Sequence, residues 1–265
     1  MRKQLKIILM LITVGITTTK STAQATDVQS TDSTIMVPLT KLNITEMEID
    51  QLITIPGMGL FLNTGDGEYK SLDRERCPDF EKFMLLDNMW YDQLVATDNR
   101  FLIHNGYQIY EIDNTKCNLI ADFDTPCFRI FAGNDSIFYM IVYNDESSTI
   151  YSCGFNDGKT IPQVTLQEDI LRVEAMGEGF TFIVGNTLYY ADGKELHQLF
   201  NTEELLTDMV LTQQGMLFCT DTSLYIYDGE NVTPLASDNF SRLFYDNGRT
   251  YIVLSDGTIY RSDIF

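Results

Sequence analysis

One small pattern returns six times along this 265-residue chain: an apolar run with strand character, a tight turn of Gly, Asn or Asp, then a second run carrying Tyr. The second runs hold Tyr69 (GEYKSLD), Tyr110 (YQIYEID), Tyr151 (STIYSCG), Tyr189 (NTLYYADG), Tyr227 (SLYIYDG) and Tyr260 (GTIYRSD). Successive tyrosines lie 41, 41, 38, 38 and 33 residues apart. A unit of that length built only of short strands cannot bury its apolar face alone. Stacked around an axis, such units form propeller blades of about 40–50 residues. The expected fold is all-β, a six-bladed β-propeller.

Each unit can be written as four strands, A to D. The second reads YDQLVATD, RFLIHNG, YQIYEID and CNLIADFD; the fourth reads LRVEAMGE, GFTFIVGN, TLYYADG and ELHQLF. The B runs are the most apolar, as a strand buried on both faces must be. The A–B turns carry Asn99, Asn134-Asp135, Gly177, Gly179, Gly215 and Asn247-Gly248, and the C–D turns carry Gly158, Gly193 and Gly229. These residue types tolerate the positive φ that tight hairpins demand. The last unit has A, B and C runs but no D before Phe265. Thr34 to Asn43 (TIMVPLTKLN) is an orphan strand whose VPLTKL is similar to VTPLAS, the D run of the fifth unit. The orphan is expected to complete the last blade, closing the ring by pairing the two chain ends and leaving no open edge. In the first unit, Cys77 to Trp90 reads as an irregular strand or one helical turn; a fourth strand around Phe80 to Leu86 matches the other blades.

Residues 1–25 stand apart. Arg2, Lys3 and Lys6 precede an apolar run from Ile7 to Ile16, and Ala23-Gln24-Ala25 supplies small residues for a signal peptidase. This is the pattern of a cleaved export signal, with an uncleaved N-terminal anchor as the alternative. Residues 26–33 are polar, a short flexible tether, and 34–265 form the propeller domain. No later segment is apolar for long enough to be a membrane helix, so no integral membrane segment is expected after cleavage. The destination is the periplasm or the extracellular space.

The formal net charge is −20, and loss of the signal lowers it to about −24. Such a surface repels nucleic acid and anionic lipid. It serves solubility, or attraction to cations or a basic partner. The cysteines, Cys77, Cys117, Cys127, Cys153 and Cys219, are odd in number and show no CxxC spacing, against a zinc site or a regular disulfide framework. Cys117 and Cys127 flank a blade junction and are the pair best placed for one bridge; small buried apolar side chains are the other reading.

The Asp-Gly turns beside aromatic strands, Asp192-Gly193, Asp228-Gly229 and Asp256-Gly257, resemble those of sensor-type and quinoprotein-type repeats. Over nearly all of residues 34–265 the chain resembles secreted bacterial six-bladed propellers. The resemblance implies a fold and not an activity. The repeated Trp of quinoprotein propellers is missing, since Trp90 is the only tryptophan. The His and Trp-Asp pattern of WD repeats is missing too.

Catalytic motifs are absent: there is no GxSxG, and no DxDxDG run for calcium. His104 and His197 fall two blades apart, against a shared metal site. No cofactor and no metal are expected. Acids recur in the B–C turns at Asp66, Asp145, Asp221 and Asp256, which turn chemistry alone can explain. The D–A connections, on the same face, add Asp87, Trp90, Tyr91, Glu168, Glu203, Glu204, Asp238 and Asn239. Trp90 beside Tyr91 is either a binding anchor or an interblade wedge. The candidate ligand-binding set is therefore Trp90, Tyr91, Asp66, Asp145, Asp221 and Asp256. The six repeated tyrosines are expected to pack between blades with hydroxyls reaching a neighbour. The expected function is a monomeric, non-catalytic scaffold whose acidic loop face binds a protein, peptide or glycan. The alternatives are a carbohydrate-active hydrolase or lyase with carboxylates at the channel mouth, and a subunit of a cell-envelope assembly.

Overall fold

The computed structural model describes residues 40–42, 52–55, 59–63, 69–72, 93–96, 100–113, 116–123, 128–134 and 136–265. These form antiparallel sheets throughout. Strand β1 (Thr40–Leu42) is followed by a three-stranded sheet of β2 (Leu52–Ile55), β3 (Gly59–Asn63) and β4 (Tyr69–Ser71). Three four-stranded meanders come next. They comprise β5 (Gln93–Ala96), β6 (Phe101–His104), β7 (Gln108–Asp113) and β8 (Lys116–Asp122); then β9 (Phe128–Phe131), β10 (Ile137–Asn144), β11 (Ser147–Gly154) and β12 (Thr160–Leu166); then β13 (Ile170–Met176), β14 (Gly179–Val184), β15 (Thr187–Ala191) and β16 (Leu196–Asn201). A fourth holds β17 (Leu206–Thr212), β18 (Gly215–Thr220), β19 (Ser223–Tyr227) and β20 (Val232–Ser237). The last sheet has β21 (Phe240–Asp246), β22 (Arg249–Leu254) and β23 (Ile259–Ser262), with β1 paired to β23 at Thr40↔Arg261, Lys41↔Tyr260 and Leu42↔Ile259.

The architecture is a β-propeller. Among the described residues five sheets have the full four strands, rather than the six expected. The sheet of β2–β4 has three strands among the described residues, and the fourth strand expected around 80–86 lies outside them, as do the signal, the tether and most of the orphan segment. Blade 1 denotes the three-stranded sheet, and blades 2 to 6 the five four-stranded sheets in chain order.

Hairpin chemistry sets the meander. Asn247 and Gly248 both have positive φ, 47° and 81°, which is the turn whose twist matches two antiparallel strands. Gly215 opens β18 with φ 137°, and a Cβ there would collide with the Tyr227 carbonyl on β19. The second strand of each blade is the buried one. All six residues of β14 are buried, while the outer strand β16 is mostly exposed.

The core is divided into layers between neighbouring blades. Ile141, Ile150 and Phe131 of blade 3 meet Val173, Phe180 and Phe182 of blade 4. Ile183 and Leu188 of blade 4 meet Met209, Met216 and Phe218 of blade 5. Leu217 and Leu224 of blade 5 meet Phe240, Ile252 and Leu254 of blade 6. Tyr251, Val253 and Ile259 of blade 6 meet Leu52 and Leu60 of blade 1. Full burial of each such side chain contributes roughly 1.5–3 kcal/mol relative to exposure.

A transverse row repeats in register: Ile103–Tyr110, Met140–Tyr151, Phe182–Tyr189, Phe218–Tyr225 and Ile252–Tyr260. In blades 2 to 5 the tyrosine follows a β-bulge against the outer strand. The repeat tyrosine of blade 5 is therefore Tyr225, and not Tyr227 as the sequence spacing suggested. Phe182–Tyr189 and Phe218–Tyr225 stack with ring centroids 5.3 and 5.4 Å apart. Each stack is worth about 0.5–1.5 kcal/mol beyond its buried area. The hydroxyl of Tyr110 donates to Gln108 of its own strand, and that of Tyr227 to the Gly229 carbonyl. Tyr143, off the row, sends its hydroxyl across to the next blade, donating to the Ile170 carbonyl at 2.7 Å.

Candidate functional site

Two polar constellations stand out, one on the innermost strands and one on a loop face. The first strand of each blade has one side with no strand partner, so its N–H and C=O groups there need other partners. In blades 2 and 5 the residue just before the tyrosine row supplies a partner. Gln93 donates from Nε2 to the Ile130 carbonyl at 2.7 Å, and its Oε1 accepts the Ile130 N–H at 3.0 Å. Asp208, at the same register position three blades on, accepts the Leu243 N–H at 2.9 Å through Oδ2. Its Oδ1 accepts the Met209 N–H and lies 3.4 Å from Nε of Arg172. Arg172 also donates to Glu174 at 2.8 Å and lies over the Phe131 ring at 5.4 Å. The same position is Arg129 in blade 3 and Arg242 in blade 6. Burial pushes the Glu174 carboxyl above its ordinary range, and the Arg172 charge only partly opposes that.

The second constellation lies where the B–C turns and D–A connections come together. Glu204, between β16 and β17, accepts from the hydroxyls of Thr220 at the end of β18 and Thr222 in the β18–β19 turn, at 2.5 Å and 2.7 Å. These two bonds hold its carboxyl below the usual range. The Asp238 N–H donates to the Thr222 carbonyl at 3.1 Å, the Phe240 N–H to the Asp221 carbonyl at 3.0 Å, and the Ser255 N–H to the Asn239 carbonyl at 2.8 Å. Three loops of blades 5 and 6 are thereby laced together, and they carry Asp221, Asp238 and Asp256 on an exposed surface.

Beneath them, between blades 5 and 6, is a cavity of about 270 Å³. Its walls are Leu224 and Ala236 of blade 5 and Phe240, Ile252, Leu254 and Tyr260 of blade 6, with Ser237 and Asp238 as its polar members. The carboxylates of Asp192, Asp228 and Asp256 each accept backbone N–H groups two or three residues on, which lowers their pKa values. For Asp256 the turn reading is thus realised, with Thr258 as the donor.

The expected site residues divide. Asp221 and Asp256 lie on the laced loops. Asp145 is exposed in the β10–β11 turn of blade 3, on another part of the ring. Asp66, Trp90 and Tyr91 lie outside the described residues. His104 is buried, and its Nε2 accepts the Gly106 N–H at 3.1 Å, which makes it a turn-holding residue. His197, half-exposed, stacks on Tyr190 and faces Glu195 at 3.7 Å. Cys117 carries a free thiol, so a Cys117–Cys127 bridge is not present; Cys127 itself lies outside the described residues. Cys153 and Cys219 are buried free thiols, both pushed up to about 12 by burial. Among the described residues no group of three or more His, Cys, Asp or Glu is placed to hold a metal, and no helix is long and apolar enough to cross a membrane.

The inner polar position was open to sequence reasoning. Gln93-Leu94, Arg129-Ile130, Arg172-Val173, Asp208-Met209 and Arg242-Leu243 are polar–apolar pairs, one in the first strand of each of blades 2 to 6. The cavity had no such signal, because its lining comes from five strands of two blades.

No family model and no curated protein matches the chain. Among solved structures, one described as a gluconolactonase aligns with a TM-score of 0.59 at 9% identity, over 86% of this chain and 92% of its own. An extracellular domain assigned to a hybrid two-component system of B. thetaiotaomicron aligns with a TM-score of 0.55 at 13% identity, over 81% of this chain and 32% of its own. An oligogalacturonate lyase in complex with manganese gives a TM-score of 0.48 at 12% identity, over 60% of this chain. This chain spans 56% of the lyase's length and about a third of that extracellular domain's. At these identities the likeness is one of fold, the β-propeller.

Proposed function

We propose that this chain is an exported, monomeric binding scaffold: a six-bladed propeller whose ring is closed by β1 on the last blade, with residues 1–25 as its export signal. Its working surface is the acidic face of B–C turns and D–A connections, and its partner is a protein, peptide or glycan. One observation carries this reading. The loops bearing Glu204, Asp221, Asp238 and Asp256 are tied by hydrogen bonds to one another, and Asp238 among them borders an apolar cavity. Rigid polar loops over a small apolar hollow lower the ordering cost of binding. Asp145, Asp66, Trp90 and Tyr91 belong to the same face in this reading.

A carbohydrate-active hydrolase or lyase is the second reading. It is favoured by Glu174, whose carboxyl is raised by burial as an acid catalyst's would be, on a strand of the inner ring beside Asp208. Against it, both carboxylates are tied to the one Arg172 guanidinium.

The test is capture from the native envelope by wild type and by Asp221→Asn with Asp238→Asn, followed by association rates at two ionic strengths. The scaffold reading expects weaker capture by the variant and a rate that falls as salt rises. Equal recovery of the same partners at a salt-independent rate contradicts it. Turnover of an oligosaccharide that is lost in Glu174→Gln supports the enzyme instead.

A further inference from the structure

Resting on the scaffold reading, we infer that the cavity between blades 5 and 6 receives one lysine side chain of a basic partner peptide. Its volume is about 270 Å³, at or below the ~300–1,000 Å³ of sites that enclose whole small ligands. That is room for a side chain and not for a substrate. Six of its eight lining residues, Leu224, Ala236, Phe240, Ile252, Leu254 and Tyr260, present mainly carbon, which suits a four-methylene stem.

The polar members are Ser237 and Asp238, both exposed. The Oδ1 of Asp238 accepts the Asn239 N–H at 2.8 Å. A carboxylate has about four acceptor sites in all, enough to take an ammonium as well. Asp221 and Glu204 add charge on the adjoining laced loops, while Asp256 already feels Lys41. An anionic or neutral polar head would meet repulsion or unpaired desolvation at this mouth; a cation on an aliphatic stem meets neither.

The probe is a blocked Gly-Gly-Lys-Gly-Gly peptide, with its Nε-acetylated form as the neutral counterpart. The readout is the methyl NMR signals of Leu224, Ile252 and Leu254. The inference expects saturable shifts confined to those methyls, and affinity about fivefold or more weaker for the acetylated peptide or for Asp238→Asn. Ala236→Leu, which fills the hollow, should abolish the shifts. Asp238→Asn keeps the turn acceptor, so it tests the charge even if Ala236→Leu fails to fold. Equal binding of the acetylated peptide, full binding to Ala236→Leu, or no saturable shift at tens of millimolar peptide each overturns it. Should the natural partner still be captured by a folded Ala236→Leu protein but not by Asp221→Asn with Asp238→Asn, the cavity inference fails and the acidic-face reading stands.

Discussion

Gln93 and Asp208 hold the same place in two blades and solve the same problem by different chemistry. Each sits one residue before the strand position that leads across to the repeat tyrosine, and each caps an N–H of the next blade's first strand. Gln93 carries both a donor and an acceptor, so one amide satisfies both the N–H and the carbonyl of Ile130. Asp208 is acceptor-only and its side chain is 4% exposed, so its charge needs a counter-ion, supplied by Arg172 from the preceding blade. A neutral link is self-sufficient. An ionic link in the same place recruits a third blade and couples three of them, at the cost of desolvating the ions.

The largest expected effect is at the ionic link. Asp208→Ala removes one of the two carboxylates at Arg172 and leaves the Met209 and Leu243 N–H groups uncapped, and should cost about 3–5 kcal/mol in chemical denaturation. A loss below about 1 kcal/mol would mean the link is ornamental. At the neutral link, Gln93→Ala uncaps Ile130 and should cost about 1–3 kcal/mol. A double-mutant cycle sharpens the contrast. Arg172→Met with Asp208→Asn should show a coupling of about 0.5–3 kcal/mol, whereas Arg172→Met with Gln93→Ala, which share no partner, should be additive within about 0.5 kcal/mol.

The smallest effect is in pH. Asp192, Asp228 and Asp256 have carboxyls lowered by backbone N–H groups, and Glu204 by two threonine hydroxyls. Lowered folded pKa values give stability that is present above the ordinary carboxylate range, about 4, and is lost as pH falls through the folded values. Glu174 runs the other way: its raised carboxyl lowers stability as pH climbs from the ordinary value through the folded one. The melting temperature should therefore fall below about pH 4, less steeply in Asp228→Asn, while Glu174→Gln should remove a shallow decline above that pH.

How much of this the sequence carried depends on how local the signal is. Strand order, hairpin turns and buried second strands were legible, because period-two apolar runs and Gly or Asn at positive φ are local facts. Asn247-Gly248 is the clearest case. The blade 5 tyrosine was misplaced by two residues because SLYIYDG holds two tyrosines, and only the bulge after Leu224 shows which one occupies the row. The acid at Asp256 was visible, and so was its turn role. The cavity was not, since Leu224 and Tyr260 are brought together by packing between blades and not by any pattern within one. The Cys117–Cys127 pairing is corrected by the free thiol of Cys117, since flanking a junction in sequence is not a disulfide signal by itself.

The account's central claim is that one face of the ring does the binding. The most direct measurement places a photoreactive residue at Asp221 on the acidic face in one protein, and at Glu178 in the β13–β14 turn of the opposite face in another. Each is then irradiated in its native envelope. The account predicts one discrete adduct from the Asp221 position, competed away by the basic blocked peptide, and none from the Glu178 position. The same adduct from both positions, or from Glu178 alone, would contradict it.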